Sequence, residues 1–463
     1  MFKKILICNR GEIALRINRT CHDMGIKTVQ IYSKADTDSR PVELADEAVL
    51  IGPAPSSRSY LHIPSIIHTC LMTGAEAVHP GYGFLSQDTY FAEICRDSGI
   101  IFIGPSPKVM EMMGDKSSAR KLMSDAGLPV PGGTETPLVN YDEARQRSEE
   151  VGYPIILKAS AGGGGRGMQV VWGRSELAMA LENVRSTAQA VFKDNRVYLE
   201  KFIRDARHVE LQVMGDRQGN VVYLGERDCS IQRRQQKLIE ESPSTYINGD
   251  LRERMGQAAV AGAKAIGYES AGTMEFLVDC DRNFYFMEMN TRIQVEHPVT
   301  ETTTGLDIVE LMIRVAAGEP LPVKQRDINL RGHAIECRVN AEDPASGWKG
   351  ASGTLTRFIP PGGPRVRVDT HAHSGYTIPP YYDSLLAKVI VCGRDRTEAL
   401  DVMQRALREF ACEGVKTTIP FHLELLAHPV FRSGDYHLDF IEKYMTPEGT
   451  LTVPEASVVG RSA

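Results

Sequence analysis

The chain begins with short apolar runs that alternate with stretches of helical spacing. Lys4–Cys8 is an apolar run typical of a buried strand, and the residues from Ile13 to Asp23 repeat their apolar positions with the period of a helix. Thr28–Tyr32 predicts a second strand, and two more are predicted after helical stretches, at 75–78 and 100–103. This strand–helix–strand order predicts a parallel sheet that helices cover on both faces.

The rest of the chain divides by pattern into two further parts. A boundary is expected near Gly114, because the helical stretch that starts at Lys116 leads into a segment rich in glycine and proline at 127–133. Beyond it, the pattern predicts strands at 154–158, 168–172 and 197–200, helices near 175–190, 250–266 and 397–411, and further strands within 209–300 and 331–445. We therefore expect three domains and a tail, at 1–114, 115–330, 331–446 and 447–463.

Composition and charge narrow the class of protein. Hydrophobic residues make up 42% of the 463 residues and charged residues 24%, as in ordinary globular proteins. The net charge of −6 argues against general binding to nucleic acid or to anionic membranes. No apolar run approaches the roughly 18 residues of a membrane span. The nine cysteines never have C-x-x-C spacing, so we expect reduced thiols and a cytoplasmic chain.

Four consecutive glycines follow the strand predicted at 154–158. The loop Ala161–Met168 has the formal spacing G-x-G-x-x-G. A dinucleotide-binding loop opens a helix, whereas this loop leads into a predicted strand, so we interpret it as a flap whose bare amides lie against phosphates. Lys158 precedes the flap, where its ammonium group can reach the same phosphates. A flexible surface loop is the alternative interpretation.

The segment that starts at Gly272 predicts a hairpin with its turn at about 280–283. If Asp279 pairs with Phe284, the register places Glu275 opposite Glu288. Side chains paired across two strands have Cβ atoms about 4.5–5.5 Å apart, so two carboxylates at such positions repel each other. The pattern therefore predicts that a cation compensates this pair, although solvated surface carboxylates are the alternative.

A hard divalent cation, Mg²⁺ or Mn²⁺, is expected at this pair, because oxygen atoms are the ligands that such ions prefer. Asn290 lies two residues after Glu288 and offers a third oxygen. In an extended chain every second side chain points to the same face of the sheet. We therefore expect one polar face that carries Glu288, Asn290, Arg292, Gln294 and Glu296. The outer face of an edge strand is the alternative.

Taken together, the motifs resemble the biotin carboxylase family, which has the ATP-grasp fold. The resemblance runs from about residue 2 to 445 and rests on NRGEIALR (9–16), HPGYGFLS (79–86), MGDK (113–116), KASAGGGGRGM (158–168), RDCSIQRR (227–234), EMNTRIQVEHPVTE (288–301) and ECRVNAEDP (336–344). It implies an α/β and α+β multidomain chain with an N-terminal Rossmann-like domain, an ATP-grasp domain with a mobile lid at about 131–203, and a C-terminal biotin carboxylase domain. The implied activity is the transfer of a carboxylate group from bicarbonate to biotin, with cleavage of ATP.

The resemblance also implies roles for individual residues. For the nucleotide it implies Lys116 and Lys158 at the phosphates, Gly164 and Gly165 in the lid loop, Glu200, Lys201, Phe202 and Ile203 beside the adenine, His208 near the ribose, and Met168, Gln232, Gln235 and Leu277 as further contacts. It implies Glu275, Glu288 and Asn290 as the metal ligands. For the reaction it implies Arg292, Gln294 and Val295 around bicarbonate, Glu296 as the general base, Lys237 at the transferring phosphoryl group, Arg338 on bicarbonate and on the biotin enolate, and Tyr82 and Asp383 toward biotin.

Two departures from the family pattern stand out. Gln235 occupies a position where many relatives have His, and residues 345–353 replace a loop that usually contains Pro-Ser. Because no Met-Lys-Met sequence is present, we expect biotin on a separate carrier protein, with carboxyltransferase subunits as further partners and a homodimer implied by the resemblance. The sequence does not name the final acceptor, because the carboxyltransferase partner chooses it; acetyl-CoA is favoured, and propionyl-CoA, pyruvate or another acceptor stay open. The alternatives are the biotin carboxylase component of a pyruvate carboxylase, another ATP-grasp ligase that joins a carboxylate to an amine, and a silent regulatory protein that binds ATP.

Overall fold

A computed structural model describes residues 1–160 and 167–445 of the chain. The predicted site residues Gly164 and Gly165 and the predicted tail at 447–463 lie outside the described residues. In the part of the chain that the structure describes, no helix combines the length and the apolar character that crossing a bilayer requires.

The N-terminal part forms a parallel sheet covered on both faces, as predicted. Its elements are β1 (Lys4–Ile7), α1 (Gly11–Asp23), β2 (Lys27–Ser33), α2 (Arg40–Leu44), β3 (Glu47–Gly52), α3 (Ile63–Thr73), β4 (Ala77–His79), α4 (Thr89–Asp97), β5 (Ile101–Phe102) and α5 (Pro107–Gly114). The strands pair in parallel in the order β3-β2-β1-β4-β5. Ile5 and Ile7 pack into one apolar core and Leu6 into a second, because successive side chains of a strand point to opposite faces.

A small unit with its own core follows. It comes after α6 (Lys116–Asp125), whose Ala119 and Met123 belong to the apolar core of the large sheet described below. The unit itself contains α7 (Tyr141–Val151), β6 (Ile155–Ala159), β7 (Met168–Val171), α8 (Arg174–Phe192) and β8 (Val197–Lys201). The strands pair antiparallel in the order β7-β6-β8. Leu157, Val171, Leu177 and Leu199 are buried in an apolar cluster that contains only residues of this unit. The unit therefore corresponds in position to most of the lid expected at 131–203.

The remaining elements form the largest sheet, three two-stranded sheets and the helices packed around them. They are β9 (Arg207–Gly215), β10 (Val221–Arg233), β11 (Gln236–Ser242), α9 (Gly249–Ala265), β12 (Ser270–Val278), β13 (Phe284–Asn290), α10 (His297–Thr304), α11 (Ile308–Ala316), β14 (His333–Asn340), β15 (Glu342–Asp343), β16 (Lys349–Gly350), β17 (Gly353–Thr354), β18 (Arg357–Ile359), β19 (Val366–Thr370), β20 (Thr377–Ile378), β21 (Leu385–Gly393), α12 (Arg396–Glu409), β22 (Ala411–Glu413), α13 (Ile419–Ala427), α14 (Pro429–Ser433) and α15 (Phe440–Tyr444).

This sheet has eight strands in the order β13-β12-β9-β10-β11-β14-β21-β19. The pairing of β11 with β14 joins residues on either side of the boundary expected at 330. Polar side chains from both sides of that boundary consequently meet on one face of a continuous sheet.

Candidate active site

The β12–β13 hairpin brings two acidic residues together as predicted, but with a different register at its turn. Phe284 pairs with Val278 and not with Asp279. The Asp279 carboxylate instead accepts hydrogen bonds from two backbone N–H groups of the turn, so this residue belongs to the turn. A β-bulge beside Glu275 then restores the predicted pairing of Glu275 with Glu288.

The prediction of one extended strand from 288 to 296 is wrong beyond Asn290. β13 is the edge strand of its sheet, its pairing with β12 stops at Asn290, and the chain turns before α10 begins at His297. The polar side chains nevertheless stay together. Arg292 donates a hydrogen bond to Asn290 Oδ1 at 3.1 Å and another to Gln294 Oε1 at 2.9 Å.

Four carboxylate or guanidinium groups form a row across neighbouring strands. Glu288 of β13 lies opposite Glu275 of β12, Glu275 lies opposite Glu210 of β9, and Glu210 lies opposite Arg227 of β10. Arg227 Nε donates a hydrogen bond to Glu210 Oε1 at 2.5 Å, and both side chains are completely buried. Sequence reasoning missed Glu210 and Arg227. The alternation of His208, Glu210 and Gln212 with apolar residues along β9 is the signal that could have indicated Glu210.

Lys237 of β11 is the cation that balances this row of acids. Its Nζ lies 2.6 Å from Glu210 Oε2, 2.6 Å from Glu296 Oε1 and 3.3 Å from Glu275 Oε1. Burial disfavours the charged amine, but the surrounding acidic groups raise the pKa of Lys237 well above its ordinary value. Lys237 is therefore a fixed positive charge in the centre of the site.

Glu275 is held by several donors besides Lys237. Asn290 Nδ2 and Gln294 Nε2 donate hydrogen bonds to its Oε1 at 2.8 and 3.0 Å, and His208 Nε2 lies 2.8 Å from its Oε2. Burial opposes ionisation, but Lys237 and His208 hold the pKa of Glu275 below its ordinary range. Glu288 is half-buried and lies 3.3 Å from the ammonium group of Lys116.

Glu296 is completely buried between two cations. Its Oε1 accepts from Lys237, and its Oε2 accepts a hydrogen bond from Arg338 Nη2 at 2.9 Å. Although burial favours the neutral acid, Lys237, Arg338 and Arg227 keep the pKa of Glu296 well below its ordinary value. Glu296 is therefore an anion in the neutral pH range, which is the form that accepts a proton.

The residues assigned to the nucleotide line the junction of the small unit and the large sheet. Lys158 of β6 donates a hydrogen bond to Glu200 of β8, and Arg120 Nη1 donates another at 2.9 Å. Sequence reasoning did not identify Arg120 as a residue of the site. Burial opposes the charge on Glu200, but Lys158 and Arg120 lower its pKa below the ordinary value. The backbone N–H of Lys201 donates a hydrogen bond to the carbonyl of Gly132 at 2.7 Å. This bond fixes the chain just before Phe202 and Ile203.

The other nucleotide candidates lie nearby on the large sheet. His208 pairs with Leu277 across β9 and β12, and its Nδ1 lies 3.2 Å from Gln232 Nε2. Met168 begins β7 and is partly buried. Gln235 is exposed in the two-residue turn between β10 and β11.

The two departures from the family pattern meet at this turn. Arg233, which closes the turn, lies over the ring of Trp348 at 4.8 Å, and Trp348 belongs to the loop at 345–353. Trp348 also packs edge-to-face against Phe421 of α13, with ring centroids 4.8 Å apart. The altered loop thus supports the turn that carries Gln235.

The two candidates for the biotin face differ in exposure, because Tyr82 is half-buried and Asp383 is not. The hydroxyl group of Tyr82 donates a hydrogen bond to Glu12, and burial together with Glu12 raises the pKa of Tyr82 well above its ordinary value. Lys388, 3.0 Å from Glu12, donates a hydrogen bond to the carbonyl of Val295 at 2.9 Å. Asp383 is exposed.

The donor chemistry fits a hard divalent cation at the paired acids. Glu275, Glu288 and Asn290 all carry side-chain oxygen atoms, and the first two lie directly opposite each other. Among the described residues, two sets of buried groups also converge, with ligand atoms within 4.8 Å: His208, Glu210 and Glu275, and Glu210, Cys229 and Glu296. Neither set includes Glu288.

Comparison with known families matches almost the whole chain. Residues 1–110 match the family described as "Biotin carboxylase, N-terminal domain", residues 115–324 match "Carbamoyl-phosphate synthase L chain, ATP binding domain", and residues 336–443 match "Biotin carboxylase C-terminal domain".

Curated and structurally solved relatives give the same result. Biotin carboxylase 1 of Bacillus subtilis is 51% identical over 96% of this chain and 99% of its own length. Biotin carboxylase of Pseudomonas aeruginosa is 50% identical over 96% of this chain and 98% of its own length. The biotin carboxylase domain dimer of Hydrogenobacter thermophilus 2-oxoglutarate carboxylase, solved with MgADP, ADP and bicarbonate, superposes with a TM-score of 0.92 at 48% identity and covers 96% of this chain and 98% of that one. With its fold, its buried acid–lysine centre and these relatives in agreement, the chain belongs to the biotin carboxylase family.

Proposed function

We propose that this chain uses ATP and bicarbonate to carboxylate biotin, the first half-reaction of an acyl-CoA carboxylase. The observation that carries the proposal is the position of Glu296, a buried anion with Lys237 Nζ at 2.6 Å and Arg338 Nη2 at 2.9 Å. A base and two cations so close together suit a reaction in which one anion attacks another.

In the first step, bicarbonate must lose a proton before its oxygen attacks the γ-phosphorus of ATP. Glu296 accepts that proton, while the side chains of Arg292 and Gln294 hold the anion. The new oxygen–phosphorus bond forms as the bond to ADP breaks, which yields carboxyphosphate and ADP. Lys237, Lys116 and Lys158 offset the negative charge on the transferring phosphoryl group.

In the second step, carboxyphosphate breaks into CO₂ and phosphate. The phosphate takes the ureido proton of biotin, and the resulting nitrogen nucleophile attacks CO₂ to give carboxybiotin. Arg338 stabilises the enolate oxygen of biotin through its guanidinium group. Tyr82 and Asp383 contact biotin.

Glu275, Glu288 and Asn290 hold Mg²⁺ or Mn²⁺ in this proposal. Such an ion, when bound, neutralises charge on the phosphate oxygens and orients the γ-phosphoryl group. The hydrogen bonds of Asn290 and Gln294 to Glu275 support the proposal, because they orient the ligand side chains before an ion arrives.

The small unit serves as a lid in this proposal. Carboxyphosphate reacts readily with water, so the site has to close during the reaction. The separate apolar core of this unit supports a movement as one body. The glycines at 162–165 suit close approach of backbone N–H groups to phosphates.

We propose that biotin arrives on a separate carrier protein and that carboxyltransferase subunits complete the pathway. The final acceptor, acetyl-CoA or pyruvate, is then chosen by the carboxyltransferase and not by this chain. A homodimer is proposed because the Hydrogenobacter relative was solved as a dimer. A cytoplasmic location is proposed because all nine cysteines are free thiols.

The test is the rate of ADP release with ATP, Mg²⁺ and bicarbonate, measured with and without free biotin. We expect release to require bicarbonate and to increase with biotin. The Glu296→Ala variant should lose bicarbonate-dependent ATP cleavage by at least about 10²-fold, because it lacks the base, yet still bind ATP.

The matched control is Glu269→Ala, which removes a glutamate that pairs with Arg217 at 3.3 Å away from the site. This variant should release ADP at the rate of the wild-type protein. Release that depends on an added amine instead of biotin would favour a carboxylate–amine ligase, and retained turnover in Glu296→Ala would remove Glu296 as the base.

A further inference from the structure

Two buried glutamates behind Arg338 have no role in the mechanism above. Glu240 of β11 and Glu336 of β14 lie directly opposite each other in the antiparallel pairing of these strands. Both side chains are 0% exposed. Within the described residues, neither oxygen of Glu336 has a hydrogen-bond partner, and Oε2 of Glu240 has none either.

Two carboxylates in this position cannot both be ionised at low cost. Cross-strand partners have Cβ atoms about 4.5–5.5 Å apart, and like charges directly opposite each other are destabilising. A buried carboxylate without hydrogen bonds carries a large desolvation cost. One shared proton removes both problems, because a protonated Glu336 can donate to the free Oε2 of Glu240.

The pair is connected to the general base through one residue. Arg338 Nε donates a hydrogen bond to Glu240 Oε1 at 2.7 Å, and its Nη2 donates another to Glu296 Oε2 at 2.9 Å. The guanidinium group therefore lies between the acid pair and Glu296, and its position depends on the charge on each side.

On the basis of the function proposed above, we propose that Glu240 and Glu336 share one proton and act together as a positioning element for Arg338. With one proton, the pair carries a single negative charge, and Arg338 is shared between Glu240 and Glu296. Loss of the proton adds a second negative charge behind Arg338 and draws the guanidinium group away from the base and from the substrates. Glu336 is a positioning residue and contacts no substrate.

The surrounding charges agree with a shared proton. The charged groups that face the pair are Arg338 of β14, Lys388 of β21, Lys237 of β11 and Glu296 at the start of α10. Lys388 is already bound to Glu12 and to the carbonyl of Val295, and Lys237 is bound to other carboxylates.

The histidines on the helices packed against β14 add no charge. Burial lowers the pKa of His297 on α10 well below its ordinary value and that of His422 on α13 to about 4. For the pair itself, burial is the main cause that raises the pKa of Glu240 to about 7 and that of Glu336 well above its ordinary value.

Infrared difference spectroscopy tests the shared proton directly. We expect the wild-type protein at neutral pH to show the stretching band of a buried protonated carboxyl group, and Glu336→Gln to lack it. The control is Glu241→Gln, since Glu241 is the next residue of β11, equally buried, but paired with Arg396 at 2.7 Å and therefore ionised. That variant should keep the band. Absence of the band from the wild-type protein would overturn the proposal.

The pH profile of kcat/KM for bicarbonate tests the positioning role. The amide of Glu336→Gln imitates the protonated acid and cannot lose its proton, so the variant should retain most of the wild-type kcat at neutral pH. The pH at which its kcat/KM falls on the alkaline side should rise by about one unit or more. In Glu240→Gln, Arg338 loses its counter-charge, and we expect kcat/KM to fall by at least about tenfold.

The contradicting result is a folded Glu336→Gln variant with an unchanged alkaline limb, or one whose kcat/KM at neutral pH falls as far as that of Glu240→Gln. Failure of the proposed function is distinguishable, because the wild-type protein would then release no ADP with bicarbonate and biotin, whatever its infrared spectrum shows.

Discussion

At the scale of single residues, the site depends on where one lysine places its charge. Lys237 contacts three carboxylates that come from β9, from β12 and from the segment before α10. Arg227 and Arg338 bind two of these acids, and the third, Glu275, faces Glu288 across the hairpin. This arrangement suits a site that takes up a metal ion together with a polyphosphate.

Replacement of Lys237 tests this charge balance. In Lys237→Gln the carboxylate of Glu296 keeps Arg338 but loses its closer cation, and the phosphoryl group loses a positive partner. We expect kcat for bicarbonate-dependent ADP release to fall by about 10²–10³-fold. Steady-state kinetics measure the loss of kcat, and a nucleotide titration measures the affinity for ATP separately. Lys264→Gln, an exposed lysine at the end of α9, is the control, and a loss smaller than about tenfold in Lys237→Gln would contradict the assignment.

Sequence reasoning found some of these residues and missed others for a physical reason. Glu275 and Glu288 lie in a hairpin whose local pattern is visible in the sequence, whereas the role of Lys237 came from the family resemblance. Glu240 meets Arg338 only because β11 pairs with β14, and that pairing joins residues far apart along the chain. Local periodicity carries no information about such a partner.

At the scale of elements, the hairpins decide the geometry of the site. The turn and alternation of the β12–β13 hairpin were predicted correctly, whereas its register at the turn was wrong by one position. The bulge beside Glu275 corrected that difference further along the strands. A bulge depends on the fit of neighbouring side chains, so the sequence pattern alone could not predict it.

The turn between β10 and β11 offers a prediction that separates stability from binding. Arg234 and Gln235 both have positive φ angles, 45° and 66°, which glycine adopts with less strain than other residues. We expect Gln235→Gly to raise the free energy of unfolding by about 0.5–1 kcal/mol. The KM of this variant for ATP should rise several-fold, because the variant lacks the glutamine side chain that is assigned to nucleotide binding.

Arg234→Gly is the matched control for this turn. It relieves the same kind of strain without removing a nucleotide contact, so the stability should increase and the KM for ATP should stay unchanged. Thermal unfolding and initial-rate kinetics measure both quantities. An equal KM in all three proteins would show that Gln235 does not contact ATP.

At the scale of the whole molecule, one continuous sheet carries the paired acids and the two cations that bind Glu296. The paired acids lie on β12 and β13 at one edge, Lys237 lies on β11, and Arg338 lies on β14 beyond the boundary expected at 330. The division of the chain into three domains is a prediction from pattern and composition. The pairing of β11 with β14 was not predicted, although it brings Lys237 and Arg338 onto neighbouring strands, from which both bind Glu296.

The most direct test of the account follows the oxygen atoms of bicarbonate. The wild-type protein is incubated with ATP, Mg²⁺, free biotin and bicarbonate labelled in oxygen and carbon, and the products are analysed by mass spectrometry. Because a bicarbonate oxygen forms the new bond to phosphorus, the account predicts that each phosphate released carries one labelled oxygen and that the labelled carbon appears in carboxybiotin. Phosphate without bicarbonate oxygen, or biotin without labelled carbon, would contradict it.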